Sequence, residues 1–319
     1  WTWSSTRSSP EVTTRTVLLK LSKQPSVLGS YPRVLLTRRP DILTLQEPSE
    51  FEVRLDNVLI DPQAVAKYAS VCAFDASDVR NGYVPITFPH VLAMPLHLRI
   101  MGHSSFPLRP MGLIHVSNTI AQPRALEAGM TLNVVVAARN YRKTDAGLTC
   151  DIVTDVLRAG QTVWRETCVF LSRWPDSAQR TGGRPPRPPK APKDAQVLTE
   201  LAVDQARVWK YARVAGDYNP IHLSDRAARF FGLRGAISHG MWTLARSLAE
   251  RPVDVPPPDA RLETQFLTPV QLPARVNIKQ WVEQGQSKRA MCDVRTGRIH
   301  MIAYWTTVPA VPGANVSEA

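Results

Sequence analysis

The sequence predicts an α+β chain in which two antiparallel sheets each wrap a long central helix. Two observations carry this. Segments of period-two alternation rich in β-branched residues fall into two clusters, each preceded by an apolar helix, and a basic Pro-rich stretch separates the two.

Residues 1–48 read as a leader, rich in Ser, Thr and Arg at first and weakly periodic afterwards, with Pro32 and Pro40 as breakers. It opens on Trp1, so the native start is expected upstream, and its acid-poor beginning fits the remnant of a transit peptide. The first repeat, 49–174, opens with a short helix over Asp61 to Ala69 that includes Tyr68. A Pro/Gly-bearing crossing then leads to an apolar helix over Phe88 to Met101. Strands follow at Gly112 to Asn118, Thr131 to Ala138, Thr149 to Val156 and Val163 to Ser172. From Pro175 to Gln196 the run Gly182-Gly183-Arg184-Pro185-Pro186-Arg187-Pro188-Pro189 forbids helix and central strand, so this stretch is a semi-extended linker.

The second repeat, 197–310, follows the same plan, with 311–319 as a tail. Its opening helix runs from Asp204 to Ala215 with Tyr211, and its apolar helix from Ser238 to Ala249. Its strands are expected at Arg261 to Phe266, Ala274 to Val282, Lys288 to Val294 and His300 to Val308. Antiparallel strands around one helix, taken twice, make a double hot-dog. The halves differ in one respect: Tyr68 to Pro85 spans 17 residues, whereas Tyr211 to Ile237 spans 26 and holds the polar motif below.

At 319 residues and 44% hydrophobic content, the chain can bury two cores. No apolar run reaches the length of a membrane span. Cys72, Cys150, Cys168 and Cys292 are scattered, which argues against a disulfide framework or structural zinc and for reduced thiols in the cytoplasm, or in an organelle matrix if the leader is a transit remnant. The net charge of +12 sits mainly in the flanks. Residues 1–40 hold seven Lys/Arg against Glu11, residues 175–196 hold five against Asp176 and Asp194, and the remainder carries +3. Such segments solubilise, or attract an acidic carrier protein or the phosphates of coenzyme A; nucleic acid is not expected.

The chemistry concentrates at Gly216-Asp217-Tyr218-Asn219-Pro220-Ile221-His222. Pro220 forbids a continuous helix and keeps Asn219 extended, so Asp217 and His222 are expected on one loop facing one substrate. An imidazole transfers protons near neutral pH, and a carboxylate beside it holds its tautomer or shares a bound water. Asn219 is expected to fix the loop by bonding to backbone. Downstream, Ser238 is expected to N-cap the apolar helix, which leaves the amides of His239 and Gly240 free at a positive helix end. Gly240 lets a carbonyl approach closely, as an oxyanion donor. Ser224 to Gly232 reads as a capped short helix with a glycine stop.

Tyr211, Gly216-Asp217, Asn219-Pro220, His222, Ala228, Gly232 and Ser238-His239-Gly240-Met241 resemble, in order and spacing, the MaoC-like (R)-specific enoyl-thioester hydratases. The five fixed positions of the motif arise by chance in roughly one chain in ten thousand of this length. Val84 to Pro89 and Met111 to His115 resemble the degenerate repeat of double hot-dog 3-hydroxyacyl-thioester dehydratases, so the resemblance spans residues 50–308. It implies reversible dehydration of (3R)-3-hydroxyacyl thioesters carried on coenzyme A or acyl carrier protein, without metal or redox cofactor. It assigns the catalytic water to Asp217 and His222 and the oxyanion to Gly240.

Alternatives are a hot-dog thioesterase, a non-catalytic acyl-binding subunit, and a metal site at Asp217, His222 and His239. His239 reads as a helix-start residue, Asp75 and Asp78 as solvated loop carboxylates, and His90, His97, His103, His115 and His300 as packing or surface residues. Phe88, Met94, Met101 and Trp242 are candidates to line or fill the acyl pocket. One active site per chain is expected, in a monomer or homodimer.

Overall fold

The computed structural model describes residues 16–37, 48–110, 112–174, 188–250 and 260–307. The first repeat comprises β2 (Glu50–Leu59), α2 (Pro62–Cys72), α3 (Ala76–Arg80), α4 (Pro89–Met101), β3 (Ile114–Ala121), β4 (Thr131–Thr144), β5 (Gly147–Arg158) and β6 (Gln161–Arg173). Ahead of it stand β1 (Thr16–Leu21) and α1 (Val27–Leu36). The second repeat comprises β7 (Gln196–Val203), α5 (Gln205–Ala215), α6 (Pro220–Leu223), α7 (Asp225–Phe230), α8 (Gly240–Leu248), β8 (Ala260–Phe266), β9 (Ala274–Glu283), β10 (Gln286–Asp293) and β11 (Ile299–Thr307).

The strands join into one sheet in the order β1-β2-β4-β5-β6-β3-β8-β11-β10-β9-β7. The run β2-β4-β5-β6-β3 is mirrored by β7-β9-β10-β11-β8, so the expected pair of sheets meets edge to edge. The seam is the antiparallel pairing of Ser117–Ala121 with Arg261–Gln265, and across it the Thr119 hydroxyl donates to Glu263 Oε2 at 2.7 Å. Pairing the two central edges leaves no exposed ladder where the repeats meet.

Two expectations need correction. A strand, not a helix, opens each repeat. In β2, Phe51, Val53 and Leu55 point inward while Glu52 and Arg54 face solvent, the alternation of a half-buried strand. In β7 the pairing with β9 begins at Gln196, the last residue assigned to the linker. The leader, too, is more than a tail: β1 pairs in parallel with β2, and α1 packs Tyr31 and Val34 against Met94 and Leu98 of α4. Residues 1–15, 38–47 and 175–187 lie outside the described part, and with them the leader's ends and most of the linker.

Helix α4 is buried on nearly every side despite Pro95 in its interior, because the curved strands of the first repeat surround it. Its counterpart α8 is buried in the same way, with Thr243, Arg246 and Ser247 among its covered residues, and Trp242 and Leu244 are fully covered. Each such aliphatic or aromatic side chain contributes about 1.5–3 kcal/mol. Phe88, Met94 and Trp242 are thereby core residues, and Met101 packs partly buried beside them.

Candidate active site

Helix α5 ends at Gly216, whose φ of +71° is the left-handed turn that glycine allows at little cost, and whose amide closes the helix on the Ala212 carbonyl. A Cβ on Gly216 would meet Val27 of α1 at 3.2 Å, so the leader helix presses directly on this turn. The chain then reverses through Asp217 and Tyr218. Here the structure departs from the expected loop. Asn219 N-caps the single turn α6, its Oδ1 accepting from the Ile221 amide at 3.3 Å, and Pro220 takes the first helical position, where a missing N–H costs nothing. His222 therefore projects from a helical turn, and Gln205 Nε2 further holds that turn by donating to the His222 carbonyl at 2.9 Å. Ser224 caps α7 as expected, its Oγ accepting from the Ala227 amide.

This architecture brings Asp217, His222 and His239 together. His222 Nδ1 lies 2.9 Å from the Ile237 carbonyl, which can only accept, so Nδ1 carries the proton and Nε2 offers a lone pair. That Nε2 stands 3.9 Å from Asp217 Oδ2. His239 Nε2 donates to the backbone carbonyl of Asp217 at 3.0 Å, and the two imidazoles overlap with centroids 3.9 Å apart. The His239 ring also packs on Tyr211 at 5.0 Å. The Asp217 side chain keeps 28% of its exposure against 10% for His222 and 2% for His239, so the carboxylate is the open member of the trio.

Burial lowers the pKa of His222 and outweighs the nearby Asp217 charge; it takes His239 down to about 3, helped by His222. Both imidazoles are neutral at pH 7. Burial opposes the charge of Asp217, yet its carboxyl is held below the ordinary aspartate range by His239, His222, the Asn219 amide and His90. With the first two neutral, that help reduces at pH 7 to the Asn219 N–H, 3.2 Å from Oδ1, and to His90, whose pKa is raised.

Helix α8 begins where Ser238 and His239 were expected to lead, but with different roles. His239, at φ −66° and ψ 135°, is the N-cap, and Ser238 is buried with its amide on the Val270 carbonyl and its hydroxyl unpartnered among the described residues. Gly240 is the first helical residue, and no hydrogen bond within the described residues engages its N–H. The space a Cβ would take there is filled by the Phe266 ring, 3.2 Å away. Close packing on Phe266, besides any approach of substrate, therefore favours glycine.

Sequence reasoning missed the first repeat's contribution. His90 and Glu166 form a fully enclosed pair at 2.7 Å, and Asn118 Nδ2 reaches the other carboxylate oxygen at 2.7 Å and Cys168 Sγ at 3.4 Å. His97, its ring 5.3 Å from that of His90, bonds Thr154 Oγ1 at 2.9 Å. Burial opposes both charges of the pair, but Glu166 holds the His90 pKa up, and His90 with Asn118 holds the Glu166 carboxyl down at about 2. Burial lowers His97 to about 3 and His115 to about 4; His115 stacks between Phe170 and Phe266, each centroid 4.7 Å away. No spacing in the sequence signals this network, because His90 and Glu166 are 76 residues apart. His300 is likewise bonded, to Thr268, and exposed Asp75 caps α3.

Among the described residues, two groups have metal-ligand composition with donor atoms within 4.8 Å of one another: Asp217 with His222 and His239, and His90 with Glu166 and Cys168. In the first, His239 Nε2 is committed to the Asp217 carbonyl; in the second, the carboxylate is already shared by His90 and Asn118. A partly open cavity of about 90 Å³, whose lining includes Phe74, Ile86, Leu248, Leu262 and Arg289, includes none of Asp217, His222 or Gly240.

Fold and site together define a double hot-dog whose second repeat brings Asp217, His222 and His239 together. Residues 181–302 match the MaoC like domain. The chain is 35% identical over 260 residues to 3-hydroxyacyl-thioester dehydratase X of Mycobacterium tuberculosis, spanning 80% of this chain and 89% of that protein. It belongs to the MaoC-like dehydratase family. Among solved structures, HtdX of M. tuberculosis superposes with a TM-score of 0.68 at 29% identity, covering 81% of this chain and 100% of that one. A MaoC-like dehydratase from Phytophthora capsici shares the fold, with a TM-score of 0.61 at 15% identity over 86% of this chain and 97% of that one.

Proposed function

We propose that the chain is a hydro-lyase that reversibly dehydrates (3R)-3-hydroxyacyl thioesters to trans-2-enoyl thioesters. The observation that carries this is the disposition of Asp217 and His222: a lone-pair nitrogen and a carboxylate oxygen 3.9 Å apart, too far to bond each other and close enough to hold one oxygen between them. In the hydration direction, Asp217 accepts one hydrogen bond from water and His222 Nε2 takes the other proton as the oxygen attacks C3. The C2=C3 electron pair shifts to C1=C2 and the carbonyl pair onto the thioester oxygen, to which the Gly240 N–H donates a hydrogen bond. The imidazolium then returns its proton to C2. Dehydration is the reverse.

Each group suits its part. The depressed pKa of His222 keeps it a free base at pH 7, and the depressed pKa of Asp217 keeps it an acceptor throughout. Ile237, not Asp217, fixes the tautomer, so the carboxylate is left for the water. Gly240 lies at the positive end of α8, where charge on the thioester oxygen is favoured. One chain supplies every group, and the step needs neither metal nor redox cofactor, because the electron pair rests on oxygen and the proton is recycled. The thioester is carried on coenzyme A or acyl carrier protein, in the cytoplasm or an organelle matrix.

Crotonyl-CoA tests the reading. Loss of the enone absorbance without release of free thiol is expected, and activity should survive chelation. Thiol release without hydration would instead mark a thioesterase.

A further inference from the structure

Three of the leader's basic residues meet in one place. A cleft with about 430 Å³ of open volume lies between β1, the turn after it, α1 and the end of α4, and its lining includes Lys20, Lys23, Arg33 and Arg99 with no carboxylate. None of these four forms an ion pair among the described residues. Ser22, Gln24 and Ser30 add neutral polar groups to the same walls. Four like charges around one concavity repel one another, and an anion relieves that repulsion. The volume is that of a small-ligand site and too confined for the face of a folded partner.

The cleft is also coupled to the catalytic loop. It is lined by Ser26, Gly29, Ser30 and Arg33 on one face of α1, while Val27 and Tyr31 on the adjoining face reach the loop. Val27 packs on Gly216, and the Tyr31 hydroxyl donates to the Gly216 carbonyl at 3.2 Å and accepts from the Tyr218 amide at 2.6 Å. One helix thus stands between cation cluster and Asp217. A helix with its side chains is about 10–12 Å across, a distance that the pantetheine arm of coenzyme A spans.

We infer that this cleft binds the phosphorylated nucleotide end of coenzyme A, through Lys20, Lys23, Arg33 and Arg99. The inference rests on the thioester-hydratase reading. Charge decides between carriers: the 3′-phosphate and diphosphate of coenzyme A bring roughly four negative charges to four cations, whereas the phosphopantetheine of a carrier protein brings a single phosphodiester. The cleft therefore serves as a carrier-specificity device that the leader adds to the double hot-dog.

The test compares crotonyl-CoA with crotonyl-N-acetylcysteamine, which has the same acyl group and no phosphate, in wild type and in the Lys23→Glu/Arg33→Glu variant. The expected result is a fall of at least tenfold in the ratio of kcat/KM for the coenzyme A substrate over the truncated one. That fall should reside in KM and shrink with added salt. Adenosine 3′,5′-bisphosphate should bind the full-length wild type and not the variant, and this binding is read without catalysis. An unchanged ratio would overturn the inference, as would a variant that loses activity with an acyl carrier protein substrate while keeping its KM for crotonyl-CoA. If wild type hydrates neither thioester yet binds the bisphosphate through these residues, the hydratase reading fails and the cleft assignment stands.

Discussion

His222 Nε2 faces Asp217 Oδ2 across 3.9 Å, with the opposite ring nitrogen tied to the Ile237 carbonyl. The tautomer is thus set by backbone, and the reactive nitrogen is turned toward the carboxylate. Burial lowers the pKa of His222, so the free base persists as pH falls below 6.5, the ordinary value for histidine. The acid limb of kcat/KM should therefore lie below pH 6.5. A limb at or above 6.5, measured with crotonyl-CoA across pH 4–8, would show that His222 does not act as the base in this environment.

Gly240 and Phe266 are in contact where a Cβ would have to go. Gly240→Ala should push the Phe266 ring or the first turn of α8 by a few tenths of an ångström, and a misplaced oxyanion donor should lower kcat by about tenfold. Phe266→Leu in the same chain makes room and should restore part of the loss. Equal activity of Gly240→Ala and wild type would remove the donor role from this helix start.

The pair His90–Glu166 is enclosed, and breaking such a pair costs about 3–5 kcal/mol because the surviving charge is left uncompensated. Glu166→Gln should lower the melting temperature by on the order of 10 °C. A change of only a degree or two would mean that His90 releases its proton without penalty.

Acid should also unfold the protein through its neutral histidines. His97 and His239 are lowered to about 3 and His115 to about 4, so their contribution is complete above the unfolded value of 6.5 and is lost as pH falls toward these values. His90 works oppositely, being raised, but burial lowers His222 and His300 as well, so it is one against five. Denaturant midpoints should decline steadily from pH 6.5 to 4; a flat profile would contradict the assignment.

Tyr31→Phe removes the one hydroxyl that bridges Gly216 and Tyr218 on either side of Asp217. Leaving the Tyr218 amide unpaired costs about 1–3 kcal/mol locally. A kcat about tenfold lower, at little change in KM, is expected. Unchanged kcat would make α1 a bystander to the catalytic loop.

Much of this was legible in the chain. Alternation located the strands after each central helix to within a few residues, and the motif spacing singled out Asp217 and His222, which the fold brings to 3.9 Å of each other. What escaped detection depended on distance in sequence. The seam between β3 and β8 joins segments about 144 residues apart, the His90–Glu166 pair joins α4 to β6, and the leader's role depends on a contact between Tyr31 and Gly216 that no local pattern announces. The N-cap was misplaced by one residue: the Ser238 amide pairs with the Val270 carbonyl and its hydroxyl caps nothing among the described residues, while His239 takes the cap position.

The central claim is that Asp217 and His222 together hold and activate one water. Hydration of crotonyl-CoA by Asp217→Asn and His222→Ala, each checked for native folding, tests it most directly. A loss of about 10²–10⁴ in kcat is expected for each, with the double variant little worse than the more damaged single variant. Wild-type turnover in both would contradict the account.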